Sequence, residues 1–382
     1  MVGPHSKPGR ETAHENPGQH GGPHPQHGYL RADLPGDPGA GPQGTPTRSP
    51  LHPGRRLRPR YAEFCDSVQA VPALDLGVRQ VLRDAPRLVP AVRAGVRTHP
   101  DVIYLNRFRP LPWALATGTL ARAPVVCHLH GLIGIEKPAV NRILGRFTSR
   151  FLCVSHFVRD QFVALGGDPG RTDVVHNGVD VEEYPFGGPD EMRTARAGLG
   201  LSDAPFIVLF FGRVDPEKGV DVLVKAVSGL DGGGRPIELL IVGPQPDEAF
   251  ARQLTERAPD VRINLLPMRS DVVGPLHAAD VVVVPSVYAD PFGQVVIEAL
   301  STGRPVIASS IGGIPEILTG DLARFLVPAG DVTALTRKLG ELLDWRTRDE
   351  GLAEACVDHV QQHFSKSSMV DAIEDRLAHA AR

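Results

Sequence analysis

Short apolar runs recur along this chain between stretches of helical spacing. In the first half, DVIYLN (101–106), PVVCHLHG (124–131), RFLCVS (150–155) and TDVVHNG (172–178) read as strands, each bounded by Pro, Gly or polar residues. The second half repeats the plan with PFIVLFFGRV (205–214), IELLIVG (237–243), VRINLLP (261–267), DVVVVPS (280–286) and RPVIASS (304–310). DVLVKAVSGL, AFARQLTERA, VGPLHAA and QVVIEALSTG supply helices between or after these strands. Alternation of this kind predicts parallel sheets with right-handed crossovers. Two such series predict an α/β chain with two doubly wound, Rossmann-like domains that bind a ligand in a cleft beyond the carboxyl ends of their strands.

The first 60 residues carry no such pattern. They hold 12 Pro, 11 Gly and six His, with few large apolar residues, so residues 1–60 are expected to stay disordered for want of apolar area to offset chain entropy. HGGPHPQHG within them reads as low complexity rather than as a metal site. After Tyr61, apolar positions from Val78 to Val96 follow helical spacing, interrupted by Pro86 and Pro90, and Arg79, Arg83 and Arg87 fall on one face.

Composition adds limits. A 382-residue chain with 42% hydrophobic and 22% charged residues suits a soluble two-domain protein. Four scattered cysteines without a C-x-x-C pair argue against a disulfide framework or structural zinc and suit a reducing, cytoplasmic setting. No apolar run is long enough to span a membrane, and the start lacks the apolar stretch of a secretory signal. The net charge of −3 conceals an asymmetry: residues 1–175 hold 22 Lys+Arg against 13 Asp+Glu (+9), and residues 176–382 hold 19 against 31 (−12). The basic half suggests an anionic partner such as phosphate or the inner face of the plasma membrane. It lacks a nucleic-acid-binding motif or interleaved aromatics, so nucleic acid is not expected.

The chemistry concentrates at two strand ends. Arg213 and Lys218 flank the turn R-V-D-P-E-K-G directly after a strand, a fork and a point charge within reach of phosphates, or alternatively ion-pair partners of Asp215 and Glu217. After VVVVP comes Asp290, held extended by Pro291, and then Gly293, where a helix begins at Gln294. The amides of Gly293, Gln294 and Val295 would form an anion site aided by the helix dipole. Glu298 lies one turn on from Gln294, on the same face. Two carboxylates bracketing free amides suit a polyhydroxylated ligand that carries phosphate.

FFGRVDPEKGVDVLVKAV (210–227), HNGVDVEEYPF (176–186), ADVVVVPSVYADPFGQVVIEALSTGRPVIASSIGGIPEIL (279–318) and FLVPAGD (325–331) resemble the family 4 retaining glycosyltransferases of GT-B fold, over about residues 100–380. The resemblance implies a nucleotide diphosphate sugar as donor, front-face transfer of a hexosyl-type sugar to a glycan, lipid-linked or small-molecule acceptor, and no metal or other cofactor. Arg213 and Lys218 would stabilise the departing pyrophosphate, Asp290 would hold the sugar ring, Glu298 the ribose, and Phe292, Gly293, Gln294 and Val295 would complete the donor site. His130 matches a position where such enzymes place a histidine near donor sugar or acceptor, and His128 is expected to point away from it along the pleat. Gly312, Gly313 and Glu316 are expected to shape a turn.

Two departures stand out. The family's usual Glu-x7-Glu is here Asp290-x7-Glu298. The strand and Gly-rich loop that open the family's first domain are not found, so that domain reads as truncated, and a catalytically weak nucleotide-sugar binder is the alternative function. The implied domains are a disordered segment 1–60, a truncated acceptor-side domain 61–190, a nucleotide-sugar domain 191–365, and a helix 366–382 returning to the first domain.

Overall fold

The computed structural model describes residues 88–244, 248–269 and 271–382, together with the backbone of 29–32. The chain divides into two compact units. The first runs to Cys153 and adds Arg159–Val174 and Ile373–Arg382; the second comprises Val154–Val158 and Val175–Ala372.

The first unit is built on five parallel strands in spatial order β1 (Tyr29–Ala32), β2 (Val102–Leu105), β3 (Val125–Leu129), β4 (Arg150–Cys153) and β5 (Thr172–Val174). Strands β2 and β3 are buried at every position, as expected of a parallel sheet covered on both faces. Cys127 and Cys153 are free thiols inside this sheet, and burial pushes Cys153 up to about 12.

Within residues 1–60 one short element is described, strand β1. YLRA pairs with Val102–Leu105 along its whole length. Four residues set among Pro and Gly leave no two-residue period to read, and the ladder to β2 defines the strand. The sheet thus has a strand before the first one the sequence predicts. The remainder of 1–60, the arginine face at Arg79, Arg83 and Arg87, and any Gly-rich loop lie outside the described residues.

The second unit holds six parallel strands in spatial order β11 (Leu326–Val327), β10 (Val306–Ser309), β9 (Val281–Val284), β6 (Phe206–Phe211), β7 (Ile237–Val242) and β8 (Arg262–Leu266). The order reverses between β6 and β9, which places a topological switch point at their carboxyl ends. At the opposite end Asp280, just before β9, is buried and tied off. It accepts from Arg196 Nη2 at 2.7 Å and from the Ile207 amide at 2.8 Å, and Arg346 stands at 3.4 Å. Trp345 Nε1 donates to its carbonyl at 3.1 Å. A buried carboxylate needs this many partners to offset its desolvation. The network fixes the amino ends of the central strands and leaves their carboxyl ends for loops. Among the described residues no helix is long and apolar enough to cross a membrane.

Candidate functional site

The loops after β6 and β9 lie side by side. After β6 comes Arg213 and a short 3-10 turn, Pro216–Lys218, capped by Asp215, whose carboxylate accepts from the Lys218 amide at 3.0 Å. The Glu217 carbonyl accepts from both Val287 and Tyr288 amides, at 3.0 and 3.2 Å, stitching this turn to the loop after β9.

That stitching brings Lys218 to Asp290, 72 residues on, with Nζ 2.7 Å from Oδ2. The other carboxylate oxygen of Asp290 accepts from the Phe292 amide at 3.1 Å, an Asx-type turn. The loop then reaches Gly293, whose φ of 104° suits glycine, and the helix Gln294–Ser301 begins. The amides of Gly293, Gln294 and Val295 donate to no acceptor among the described residues, the usual condition of a first turn. The Phe292 ring is buried, so only its backbone is available to a ligand.

Glu298 stands one turn along that helix, half-buried. Burial raises its carboxyl to about 7, against the opposing hydrogen bonds from Gln294 and Tyr184. Burial and the Glu298 charge push the Tyr184 hydroxyl up to about 12. Tyr184 lies within the HNGVDVEEYPF segment, but nothing in the sequence placed it against Glu298. Ser301 Oγ, on the same helix, donates to the Tyr184 carbonyl at 2.8 Å and fixes that approach.

Arg213 does not join Lys218 and Asp290. Its exposed guanidinium lies 3.0 Å from Asp215 and 3.5 Å from Glu217, the ion pairs that the sequence left open as the alternative. To reach a phosphate it would have to leave two carboxylates.

A second set of contacts holds the Asp290 loop from behind. The Asp290 carbonyl accepts from the Gly313 amide at 2.8 Å, and Ser155 Oγ donates to the Pro291 carbonyl at 2.5 Å. Gly312 has φ 65°, and a Cβ there would lie 2.1 Å from the Asp290 carbonyl oxygen, so the backbones meet as closely as glycine permits. Four residues on, Glu316 accepts from the His156 and Phe157 amides, both at 2.8 Å, and pairs with His176 Nε2 at 2.9 Å. The His176 ring packs against buried Phe292, centroids 5.8 Å apart. Glu316 was expected only to shape a turn; it instead ties two segments, at 156–157 and at 176, to the loop.

His156, His176 and Glu316 are the types of residue that could hold a metal ion, with ligand atoms all within 4.8 Å of one another. Both carboxylate oxygens already accept N–H bonds, so any ion would compete with those partners. Burial raises the Glu316 carboxyl, but hydrogen bonds from His176 and the two amides outweigh it and hold the group below its usual range. Its stabilisation is therefore present above the unfolded carboxyl value and lost as pH falls through the folded one. Glu316→Gln is expected to cost about 1–2 kcal/mol at pH 7, and less as the buffer approaches pH 4, in urea unfolding. Equal midpoints for both proteins at pH 7 would exclude the role.

In the first unit, His130 follows β3 and its Nε2 lies 2.7 Å from Asn106 Oδ1. The expectation for His128 was wrong. Its ring lies beside that of His130, centroids 4.2 Å apart, because a separation of two residues returns to the same face of a pleated strand. Buried His128 meets the Tyr104 hydroxyl through Nδ1 at 2.6 Å. Tyr104, Asn106, His128 and His130 thus form one polar row at the carboxyl ends of β2 and β3, of which the sequence singled out only His130.

The two parallel α/β units have the GT-B fold. Residues 205–344 match the family described as "Glycosyl transferases group 1" and residues 45–183 match "Glycosyltransferase Family 4". Among curated proteins, the chain is 36% identical over 225 residues to D-inositol 3-phosphate glycosyltransferase of Mycobacteroides abscessus, covering 56% of this chain and 48% of that one. It is 35% identical over 223 residues to the enzyme of the same name from Mycolicibacterium smegmatis, covering 56% and 49%. The chain spans about half the length of the curated relatives it matches. In fold it resembles Anabaena HepE in complex with UDP and glucose, with a TM-score of 0.72 at 24% identity, covering 84% of this chain and 88% of that one. It also resembles sucrose-phosphate synthase of Thermosynechococcus elongatus, with a TM-score of 0.64 at 23% identity, covering 82% and 83%.

Proposed function

We propose that the chain transfers a hexosyl-type sugar from a nucleoside diphosphate sugar, with a uridine nucleotide as the first candidate, to a hydroxyl acceptor with retention of anomeric configuration. The observation that carries this reading is the contact between Lys218 and Asp290 beside the open amides of the helix Gln294–Ser301, with Glu298 one turn below. It offers a cation and a helix amino end for a diphosphate, and a carboxylate on either side for diols. The named relatives act as glycosyltransferases, and one structural neighbour holds UDP and glucose, which supports the choice of donor.

In this reaction the diphosphate sits on the Gly293–Val295 amides, with Lys218 and Arg213 neutralising charge as the sugar–oxygen bond breaks. Glu298 accepts from the ribose hydroxyls. Asp290 accepts from the ring hydroxyls and orients the anomeric carbon. The acceptor hydroxyl attacks from the face that the diphosphate leaves, and the departing diphosphate oxygen takes its proton.

The test is release of nucleoside diphosphate from UDP-, GDP- and ADP-sugars with inositol phosphate and simple glycosides as acceptors, with the anomer assigned by NMR. Retained configuration supports the reading and an inverted product overturns it. Donor binding without turnover on any acceptor would favour the weak-binder alternative. Fixed cations take the place of a metal here, so calorimetric affinity for UDP is expected to change less than about twofold in excess EDTA, well under the ~1.4 kcal/mol of a tenfold change. A loss of tenfold or more would require a divalent ion.

A further inference from the structure

We propose that the segment Ile133–Phe147 of the first unit docks on an anionic membrane surface. Its core is the helix Pro138–Gly145, which turns Asn141 and Gly145 inward. Buried Asn141 donates through Nδ2 to the carbonyls of Ile135 and Leu165, at 2.8 and 2.7 Å, which fixes the rotation of the helix. The outward positions therefore fall at Ala139, Arg142, Ile143 and Arg146, and Phe147 follows in the hydrogen-bonded turn that ends the helix.

That outward face is unusual in what it exposes. Ile143 is 58% accessible and Phe147 67%, and they stand four residues apart on one side. Ile133, in the loop leading to the helix, is 72% accessible. These are three of the eight large hydrophobic residues so exposed among the described residues, and they fall within 15 positions of sequence. Lys137, Arg142 and Arg146 are interleaved with them and exposed, and none has a carboxylate partner among the described residues. Nearby, Arg150 and Arg171 do pair with acids, at 3.6 Å each. The one acidic residue of the segment, Glu136, accepts from the Gly134 amide at 2.9 Å.

Unpaired cations alternating with exposed aliphatic and aromatic side chains match a lipid interface. The apolar groups enter the acyl boundary while the cations meet anionic headgroups. A second protein would need acidic groups spaced to the same cations, whereas a headgroup layer supplies negative charge at any spacing. The apolar side chains separate this face from a purely ionic binder such as nucleic acid. This surface differs from the Arg79/Arg83/Arg87 face suggested by the sequence. The proposal stands whether or not the chain transfers sugar; if the proposed function holds, docking would favour a lipid-borne acceptor.

The experiment is co-sedimentation of the full chain with phosphatidylglycerol–phosphatidylcholine vesicles and with phosphatidylcholine alone. Binding is expected only to the anionic vesicles, falling steeply between 50 and 500 mM salt. Arg142→Ala with Arg146→Ala should weaken it about 10- to 30-fold, the effect of two basic residues at a charged surface. Ile143→Ser with Phe147→Ser should weaken it by a similar factor while leaving the salt dependence of the residue unbound by apolar contact intact. Far-UV circular dichroism and melting temperature, read on the arginine variant, should stay at the wild-type values and so certify its folding. Absence of vesicle binding, equal binding to neutral vesicles, or variants that bind as wild type each overturn the proposal. So does a dimer in size-exclusion chromatography that the serine pair dissolves, or a large fall in melting temperature from that pair, since either would show protein covering the face.

Discussion

Asp290→Asn is expected to lower kcat/KM for transfer by about 100-fold while changing UDP affinity less than about threefold. In the proposed function this carboxylate would hold the sugar ring, which UDP lacks. Lys218→Ala should instead weaken UDP by about 1.5–3 kcal/mol, the scale of a hydrogen bond to a charged group. Arg213→Ala is expected at the lower end of that range, because its guanidinium must first leave Asp215 and Glu217. The Lys218→Ala/Asp290→Asn double variant should bind UDP better than the sum of the single effects predicts. Each single change strands a half-buried charge, and the double change strands none. Asp290→Glu should reduce turnover, because the longer acid cannot cap the Phe292 amide and meet Lys218 together. Full activity in Asp290→Asn and unchanged UDP affinity in Lys218→Ala would jointly remove the site.

The second large effect concerns Glu298 and pH. Its folded carboxyl titrates near 7, well above the ordinary 4.5, because burial disfavours the charge. The folded protein then holds a proton that the unfolded chain has released. This contribution to stability is full below the unfolded value and is lost as pH rises through 7. Between pH 5 and pH 8 wild-type protein should lose about 2–3 kcal/mol from this group, and Glu298→Gln should flatten that part of the profile. Urea unfolding at several pH values reads it directly, and parallel profiles for the two proteins would overturn the assignment. Glu298→Gln should also weaken UDP and UDP-sugar alike, in contrast to Asp290→Asn.

Much of the architecture was legible because buried parallel strands write themselves as continuous apolar runs. VVVVP and FIVLFF could be little else. Strands β1 and β11 escaped for the opposite reason: with four and two residues, their pairing rather than their composition makes them strands. The two site loops were readable from Pro, Gly and charge at strand ends. Their meeting was not, since the Lys218–Asp290 and Tyr184–Glu298 contacts close over 72 and 114 positions. Arg213 shows the converse. Its partners two and four residues away were visible in the sequence, and local pairing prevailed. Glu316 looked like a turn residue because its three partners lie some 140–160 positions upstream.

The closed Lys218–Asp290 pair bears on how the protein would empty itself after a turnover. In the proposed function, the sugar hydroxyls of a bound donor would occupy Asp290 and leave Lys218 to the diphosphate. Once the sugar had gone to the acceptor, Asp290 would be bare, and the Lys218 ammonium, 2.7 Å away in the structure, would be its nearest counter-ion. Lys218 would then be drawn back, and the spent nucleotide would lose part of its hold at the moment it must depart. A single shared cation would thereby grip substrate more firmly than product, limiting product inhibition with no moving lid.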